Sequence, residues 1–348
     1  MIVGTATRIG DTMPLSAADL AVLGETPITI RSTAFPNVYL RLDGRGVTSQ
    51  TANGGGLVNC QFSAGTPGPY ERFKIRRQAD GTYSFESAAF PNVWLRMDSR
   101  GVAAQVTGGG GLVNAQFNAN GGSAEKFRLH THAGDAFSFE STLTSNVFLR
   151  MDGTGVTSST DNGGGRVNCQ FNANGGIHEK FVISMIDQRL DFAMQRQEQD
   201  MWCWSAATVS VAAYYDPNTP WTQCTLADAE LNRNDCCVAP GVVSPGNQGR
   251  WPDTAMQRVG VLRQRENRAL TPAEIGAEMA NSAPIELNTS WRGGGGHILA
   301  IRGRFFLDGE EYVSVADPWY GDSDVSYRTF RDGYQGSGTW NVSYKTQR

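Results

Sequence analysis

Through the first half of the chain, apolar and polar positions alternate in short runs, and the runs recur. Ile28-Thr-Ile-Arg-Ser32, Tyr83-Ser-Phe-Glu-Ser87 and Phe137-Ser-Phe-Glu-Ser141 each open a unit. FPNVYLRLDGRGV, FPNVWLRMDSRGV or TSNVFLRMDGTGV follows, then a glycine-rich turn, then LVNCQF, LVNAQF or RVNCQF; each unit ends in ERFKI, EKFRL or EKFVI. Asp43, Asp98 and Asp152 stand 55 and 54 residues apart, and Phe73, Phe127 and Phe181 stand 54 and 54 apart. Period-two runs between Gly, Pro and Asn turns predict short strands, and self-similarity at a fixed period marks a repeat architecture. Four strands in each of three units predict a β-trefoil over residues 1–186, with repeats near 28–82, 83–136 and 137–186. Three units are too few blades to close a propeller.

The pattern changes after Ile186. DQRLDFAMQRQEQD (187–200) reads as a polar connector with some helical character, its first part at 187–196, and a second, α+β domain is expected over 187–348. CWSAATVSVAAYY (203–215) is apolar on nearly every side, the mark of a helix buried in the middle of a domain. Thr271-Pro-Ala-Glu274 is a capping box with proline at the first helical position and predicts a helix to about Asn281. Pro284-Ile-Glu-Leu287 predicts a strand leading to Trp291 and the run Gly293–Gly296. That run either lets a substrate backbone approach or forms a loose loop. HILAIRGRFFL and EYVSVAD flank Asp308-Gly309 and predict an antiparallel hairpin.

Composition narrows the function classes. With 40% hydrophobic and 18% charged residues over 348 positions, the chain reads as an ordinary globular protein long enough for two cores. A net charge of −4 gives no electrostatic case for nucleic acid. No apolar run approaches the roughly 20 residues of a spanning helix. MIVGTATRIGDTMPLS shows no secretory signal, so release by another route, to act extracellularly or on a target cell, is the expectation. Cys60 and Cys169 occupy equivalent repeat positions where the middle unit has Ala115, so they read as inert core thiols. Cys224, Cys236 and Cys237 can hold one bridge in an oxidising compartment; without a Cys-x-x-Cys pair or a nearby histidine, zinc is not expected.

The candidate chemistry gathers around Cys203. It heads the predicted helix, where unpaired N–H groups and the dipole favour a thiolate. His297 is the only histidine beyond residue 186, so a Cys/His pair in the second domain has no other base. Asp317 is the candidate to orient that imidazole. A two-residue hairpin loop pairs Leu307 with Glu310 and sends Asp317 to the face away from His297. A three-residue loop with a glycine bulge pairs Phe306 with Glu310, sets Asp317 opposite Leu299 and puts it on the face of His297. The second register is expected. Gln197, six residues before Cys203, is preferred over Gln199 as an oxyanion donor beside the Cys203 N–H.

Gln-x5-Cys-Trp, Gly-His before a strand and Asp-Pro-Trp together resemble the papain-like cysteine peptidases, over residues 197–320. The nearest likeness is to their bacterial and effector-type branches, which carry Asp in place of Asn. That resemblance implies Cys203 as nucleophile, His297 as general base and acid, Asp317 as orienter and Gln197 as oxyanion donor. It also implies Trp319 as a shield of the His–Asp bond, and a disulfide from Cys224 to Cys236 or Cys237. The first half resembles the trefoil lectins and carbohydrate-binding modules, although Glu-x-Phe stands where the ricin type has Gln-x-Trp. Sugar contacts are expected from Asp43, Asp98 and Asp152, from Asn59, Asn114 and Asn168, and from an aromatic such as Trp94; turn-forming and barrel-filling roles are the alternative. The two-part architecture resembles the mushroom chimerolectins, which implies calcium and a homodimer by resemblance only; the sequence itself requires no cofactor. Asp322 and Asp324 read as solvated loop carboxylates.

The expectation is a cysteine endopeptidase that a glycan-binding trefoil directs to its protein substrate, in a toxin, effector or defence role. A lectin or toxin with a dispensable protease fold is one alternative. A Cys-His-Asp amidase, deamidase or transglutaminase is the other.

Overall fold

A computed structural model describes residues 12–21, 23, 26–186 and 188–348. Of the stretch read for an export signal, residues 1–16, residues 1–11 lie outside the described residues. The chain divides into two compact units: one holds the residues up to Ile186 with the hairpin tip Phe306–Gly309, the other the rest of the described chain.

Each repeat of the first unit forms four strands. They are Pro27–Ser32 (β1), Val38–Asp43 (β2), Leu57–Phe62 (β3) and Phe73–Arg77 (β4); Tyr83–Ser87 (β5), Val93–Asp98 (β6), Leu112–Phe117 (β7) and Phe127–His132 (β8); Ala136–Ser141 (β9), Val147–Asp152 (β10), Arg166–Phe171 (β11) and Phe181–Ile186 (β12). β1, β4, β5, β8, β9 and β12 pair in a ring that closes where β12 meets β1. Three hairpins, β2–β3, β6–β7 and β10–β11, share one register, with Val38, Val93 and Val147 opposite Phe62, Phe117 and Phe171. A six-stranded barrel with three equivalent hairpins is a β-trefoil. The short strand Thr12–Pro14 adds to β12. Phe73, Phe127 and Phe181 are fully buried, and Phe85 and Phe139 meet Phe127, Phe181 and each other at ring distances of 5.1–6.1 Å.

The polar positions of the repeat stitch neighbouring repeats together. Asn59, Asn114 and Asn168 donate their amides to the carbonyls of Asn162, Asn53 and Gly108, each at 2.7 Å. Gln61, Gln116 and Gln170 each make a two-way amide pair with the backbone of Thr160, Thr51 and Val106. Gly54, Gly109 and Gly163 come so close to the adjoining strand that a Cβ would lie 2.5–2.7 Å from a carbonyl oxygen, at φ of +67 to +73°. Only glycine fits there. Cys60, Ala115 and Cys169 bridge to these same turns, which is why that slot takes only a small side chain. Burial pushes the Cys60 and Cys169 thiols up to about 12, so they are inert.

The residues expected to contact sugar have protein partners or lie inside. Asn59, Asn114 and Asn168 are seam residues, and Trp94, 4% exposed, fills the interior. Asp43 and Asp98 bind the arginines at 41 and 45 and at 96 and 100; Asp152 binds Arg150 and Thr154. These partners hold all three carboxyls well below the usual range, Asp43 through Arg45 first, Asp98 through Arg100 and Asp152 through Thr154. The Glu of each Glu-x-Phe faces the hairpin arginine of its own repeat, Arg41–Glu71, Arg96–Glu125 and Arg150–Glu179, at 3.6–3.7 Å.

The second unit contains helices Cys203–Tyr215 (α1), Gln223–Leu231 (α2), Asp253–Arg258 (α3), Pro272–Ala280 (α4) and Tyr327–Gly333 (α5). Its strands are Leu262–Glu266 (β13), Ile285–Trp291 (β14), Gly296–Leu307 (β15), Glu310–Ala316 (β16), Ser323–Ser326 (β17) and Gly338–Thr346 (β18). They form one sheet in the order β13-β18-β14-β15-β16-β17. Thr271 caps α4 through the reciprocal pair with Glu274. The connector is not helical: residues 188–197 run without a helix, Leu190 donating to the Arg302 carbonyl and Gln197 to that of Pro318.

The β15–β16 hairpin departs from the expected form. Its turn is the two residues Asp308 and Gly309, both at positive φ (53° and 79°), which is the two-residue primed type and not a three-residue loop. Phe305 accordingly stacks on Tyr312 near the tip, at 5.3 Å. Farther along, Leu299 and Ile301 share a core with Val313 and Val315, while Ala300 lies with Ala316 in another. An unbroken register would put Ile301 and Ala316 on one face. The facing of the two strands therefore changes between the tip and the far end of the hairpin. The change expected at the turn lies along the strands.

Candidate functional site

Cys203 is the first residue of α1, so its backbone N–H is one of the four at a helix start that have no acceptor within the helix. The tryptophans on either side are buried, and their indole N–H groups donate to the carbonyls of Gly246 (2.9 Å) and Gln248 (3.1 Å). Met201 N–H adds a bond to Asn247 Oδ1 at 2.9 Å. Both indoles turn inward to hold the loop at 244–248, which leaves the residue between them half-buried at a cavity of about 700 Å³. Gln197, His297, Trp319 and Tyr320 line the same cavity.

His297 stands near the start of β15, 7% exposed, with Nε2 2.9 Å from Asp317 Oδ1. Its other ring nitrogen does not bond Asp317, and Cys203 lines the same cavity. Burial alone would lower the imidazole pKa, but Asp317 and Cys203 beside it outweigh that and push it up to about 9. Asp317 is buried too, which opposes its charge, yet its bonds hold the carboxyl below the usual range. Oδ1 also accepts the N–H groups of Trp319 (2.7 Å) and Tyr320 (2.8 Å), and Oδ2 accepts the Tyr334 hydroxyl at 2.8 Å. A carboxylate with four donors is fixed in place and in charge.

Gln197 reaches the cavity, but its Nε2 donates to the carbonyls of Gln199 and Asp200, both at 2.8 Å, and its buried Oε1 has no partner among the described residues. Both amide hydrogens are engaged. The rings against His297 are Trp291, nearly parallel at 6.0 Å, and Tyr320, edge-on at 6.0 Å. Trp319, expected to shield the His–Asp bond, is 45% exposed.

Sequence reasoning missed Tyr334, which sits in a Gly-rich turn with no periodic pattern, and Trp291, at the end of a strand. It also missed Glu286, fully buried on β14, whose carboxyl burial pushes well up and which the Thr208 hydroxyl contacts at 3.2 Å. Gly294 and Gly295 form the β14–β15 turn at positive φ, and Gly295 and Gly296 line the cavity. Asn288 and Asn341 bond each other at 2.7 Å, and Asn288 is buried.

Of the two pairings left open, the disulfide is Cys224–Cys237; Cys236 is free and buried. Asp228, Asp235 and Cys236 come within 4.8 Å of one another, the metal-ligand grouping found among the described residues. Asp228 accepts the Cys236 N–H and Asp235 pairs with Arg233, so both carboxylates already have partners. Asp322 and Asp324, expected to be simply solvated, pair with Arg302 at 2.9 Å and Arg189 at 3.5 Å.

Residues 185–335 match the family model of the papain-like cysteine protease AvrRpt2. No curated protein matches the chain. Among solved structures it is similar to the Polyporus squamosus lectin bound to a human-type influenza-binding epitope, with 18% identity and TM-score 0.38 over 87% of this chain and 94% of that one. It is similar to PSL1a in complex with E64 at 16% identity and TM-score 0.38, over 86% and 94%. A mosquitocidal holotoxin matches at 11% identity and TM-score 0.36 over 47% of this chain; only 18% of the toxin chain is spanned. At TM-scores this low the trefoil rests on its own strand pairing. No helix among the described residues is long and apolar enough to cross a membrane. The chain thus joins a β-trefoil to an AvrRpt2-like papain-like cysteine protease domain at residues 185–335.

Proposed function

We propose that the second unit hydrolyses peptide bonds through Cys203, His297 and Asp317, and that the trefoil directs it to glycan-bearing targets in a toxin, effector or defence role. The observation that supports this reading is a single imidazole that shares one cavity with a cysteine at a helix start and is hydrogen-bonded to a buried, four-times-bonded carboxylate. With the Cys203 proton held on His297, the sulfur attacks the peptide carbonyl carbon. The resulting oxyanion lies beside the Cys203 N–H. For Gln197 to be the second donor, its amide has to release one of its two carbonyls. Collapse breaks the C–N bond as the imidazolium gives its proton to the leaving amine. Water, deprotonated by His297, then opens the thioester and frees the thiol. Asp317 keeps the ring oriented and its charge balanced throughout.

The test is incubation with denatured protein substrates and with a thiol-trapping epoxide. Wild type is expected to cleave and to be labelled at Cys203, and Cys203→Ala to do neither. Cleavage or target modification that survives Cys203→Ala overturns the enzymatic reading in favour of a lectin with a dispensable protease fold.

A further inference from the structure

Three equivalent hollows lie where each trefoil hairpin meets the adjoining repeat, and their lining residues have diverged. Ahead of the Glu-x-Phe glutamate stand Tyr70, Ala124 and His178. We propose that the first hollow, built around Arg41 and Tyr70, is a binding site for a neutral monosaccharide unit; this rests on the glycan-binding reading of the trefoil above.

The hollow measures about 380 Å³, within the size range of small-ligand sites. Arg41 lines it while only 1% exposed, and its Nη1 has no partner among the described residues. In the other repeats the equivalent atom is satisfied: Arg96 Nη1 donates to Asn53 O and Asn114 Oδ1, and Arg150 Nη1 to Gly108 O. A buried donor without an acceptor is costly, and a ligand hydroxyl would supply one.

The first repeat alone has a loop one residue longer between its third and fourth strands. Its short turn Pro69–Glu71 sets Tyr70 under the Arg41 guanidinium at 4.9 Å. Tyr70 and half-buried Phe62 give the hollow an apolar wall, and exposed Ser159 and Asp161 give its rim a hydroxyl and a carboxylate. Apolar wall, buried donor and rim acceptors together suit a polyol with one C–H face. The charge decides against an acidic sugar, because Glu71 and Asp161 both flank the single arginine of the hollow.

The experiment is calorimetric titration of the full chain with neutral hexoses and pentoses and with glucuronate, beside a screen of the same chain on immobilised glycans. Wild type is expected to bind a neutral sugar. Tyr70→Ala is expected to weaken it at least tenfold and Asp161→Asn several-fold, while His178→Ala in the third hollow stays within twofold. Both Tyr70 and Asp161 are accessible enough for folding to be checked by an unchanged melting curve. Binding that persists unchanged in Tyr70→Ala and Asp161→Asn overturns this site but leaves the glycan-binding module standing. A preference for glucuronate overturns the neutral class. No glycan bound by wild type in either format overturns the module reading itself.

Discussion

At His297, burial and hydrogen bonding act in opposite directions, and the balance sets a testable pH profile. The imidazole holds its proton up to about 9, so kcat/KM is expected to fall as pH rises through that value. Asp317→Asn removes the charge that raises it and leaves desolvation, so the alkaline limb is expected to move down. The accompanying loss is about 10²-fold or more, the scale of an acid–base contribution. An alkaline limb that stays near 9 in that variant would place the shift elsewhere. The same values fix the sign for stability. His297 lies above its unfolded value of about 6.5, so its contribution is full below pH ~6.5 and disappears as pH rises toward 9. Asp317 lies below its ordinary value, so its contribution is present above pH ~4 and is lost in acid.

Among the elements, α1 and the segment after α2 depend on each other. Gly246 and Gln248 accept the indoles beside Cys203, Gly249 to Trp251 wall the cavity, and Cys224–Cys237 ties this stretch back to α2. Cleaving that bridge is expected to cost about 3 kcal/mol, the chain-entropy value for a loop of this size. A lower urea midpoint for Cys224→Ser/Cys237→Ser, with KM rising more than kcat falls, would show that the wall has loosened. Cys236→Ser keeps the bridge and is the control for chemistry at the free thiol; equal loss in both variants would exclude the bridge as the cause. The sequence could not choose between Cys236 and Cys237 because adjacent residues have the same reach. Packing decides it: Cys236 is buried against Trp202 and Trp204, which leaves Cys237 for Cys224.

Each unit of the whole molecule carries its own core, so the two proposed activities should separate by mutation. Cys203→Ala is expected to leave sugar affinity within twofold, and Tyr70→Ala to leave peptide cleavage within twofold; titration and cleavage assays on the same preparations check both. Cross-effects larger than that would mean the activities are coupled. The repeat, the buried helix headed by Cys203 and the lone downstream histidine were legible in sequence because each is a local pattern or a count. The seam roles of Asn59, Asn114 and Asn168 were not, because an amide that joins two repeats looks on paper like one that grips a sugar. Nor was the clamp on Asp317 from Tyr334, which lies 17 residues away in a turn without periodicity. The chain alone determined which residues were available for the chemistry. Tertiary structure decided which ones meet: the facing of β15 and β16 changes along the hairpin, which period-two patterning does not register, and Asp317 meets His297.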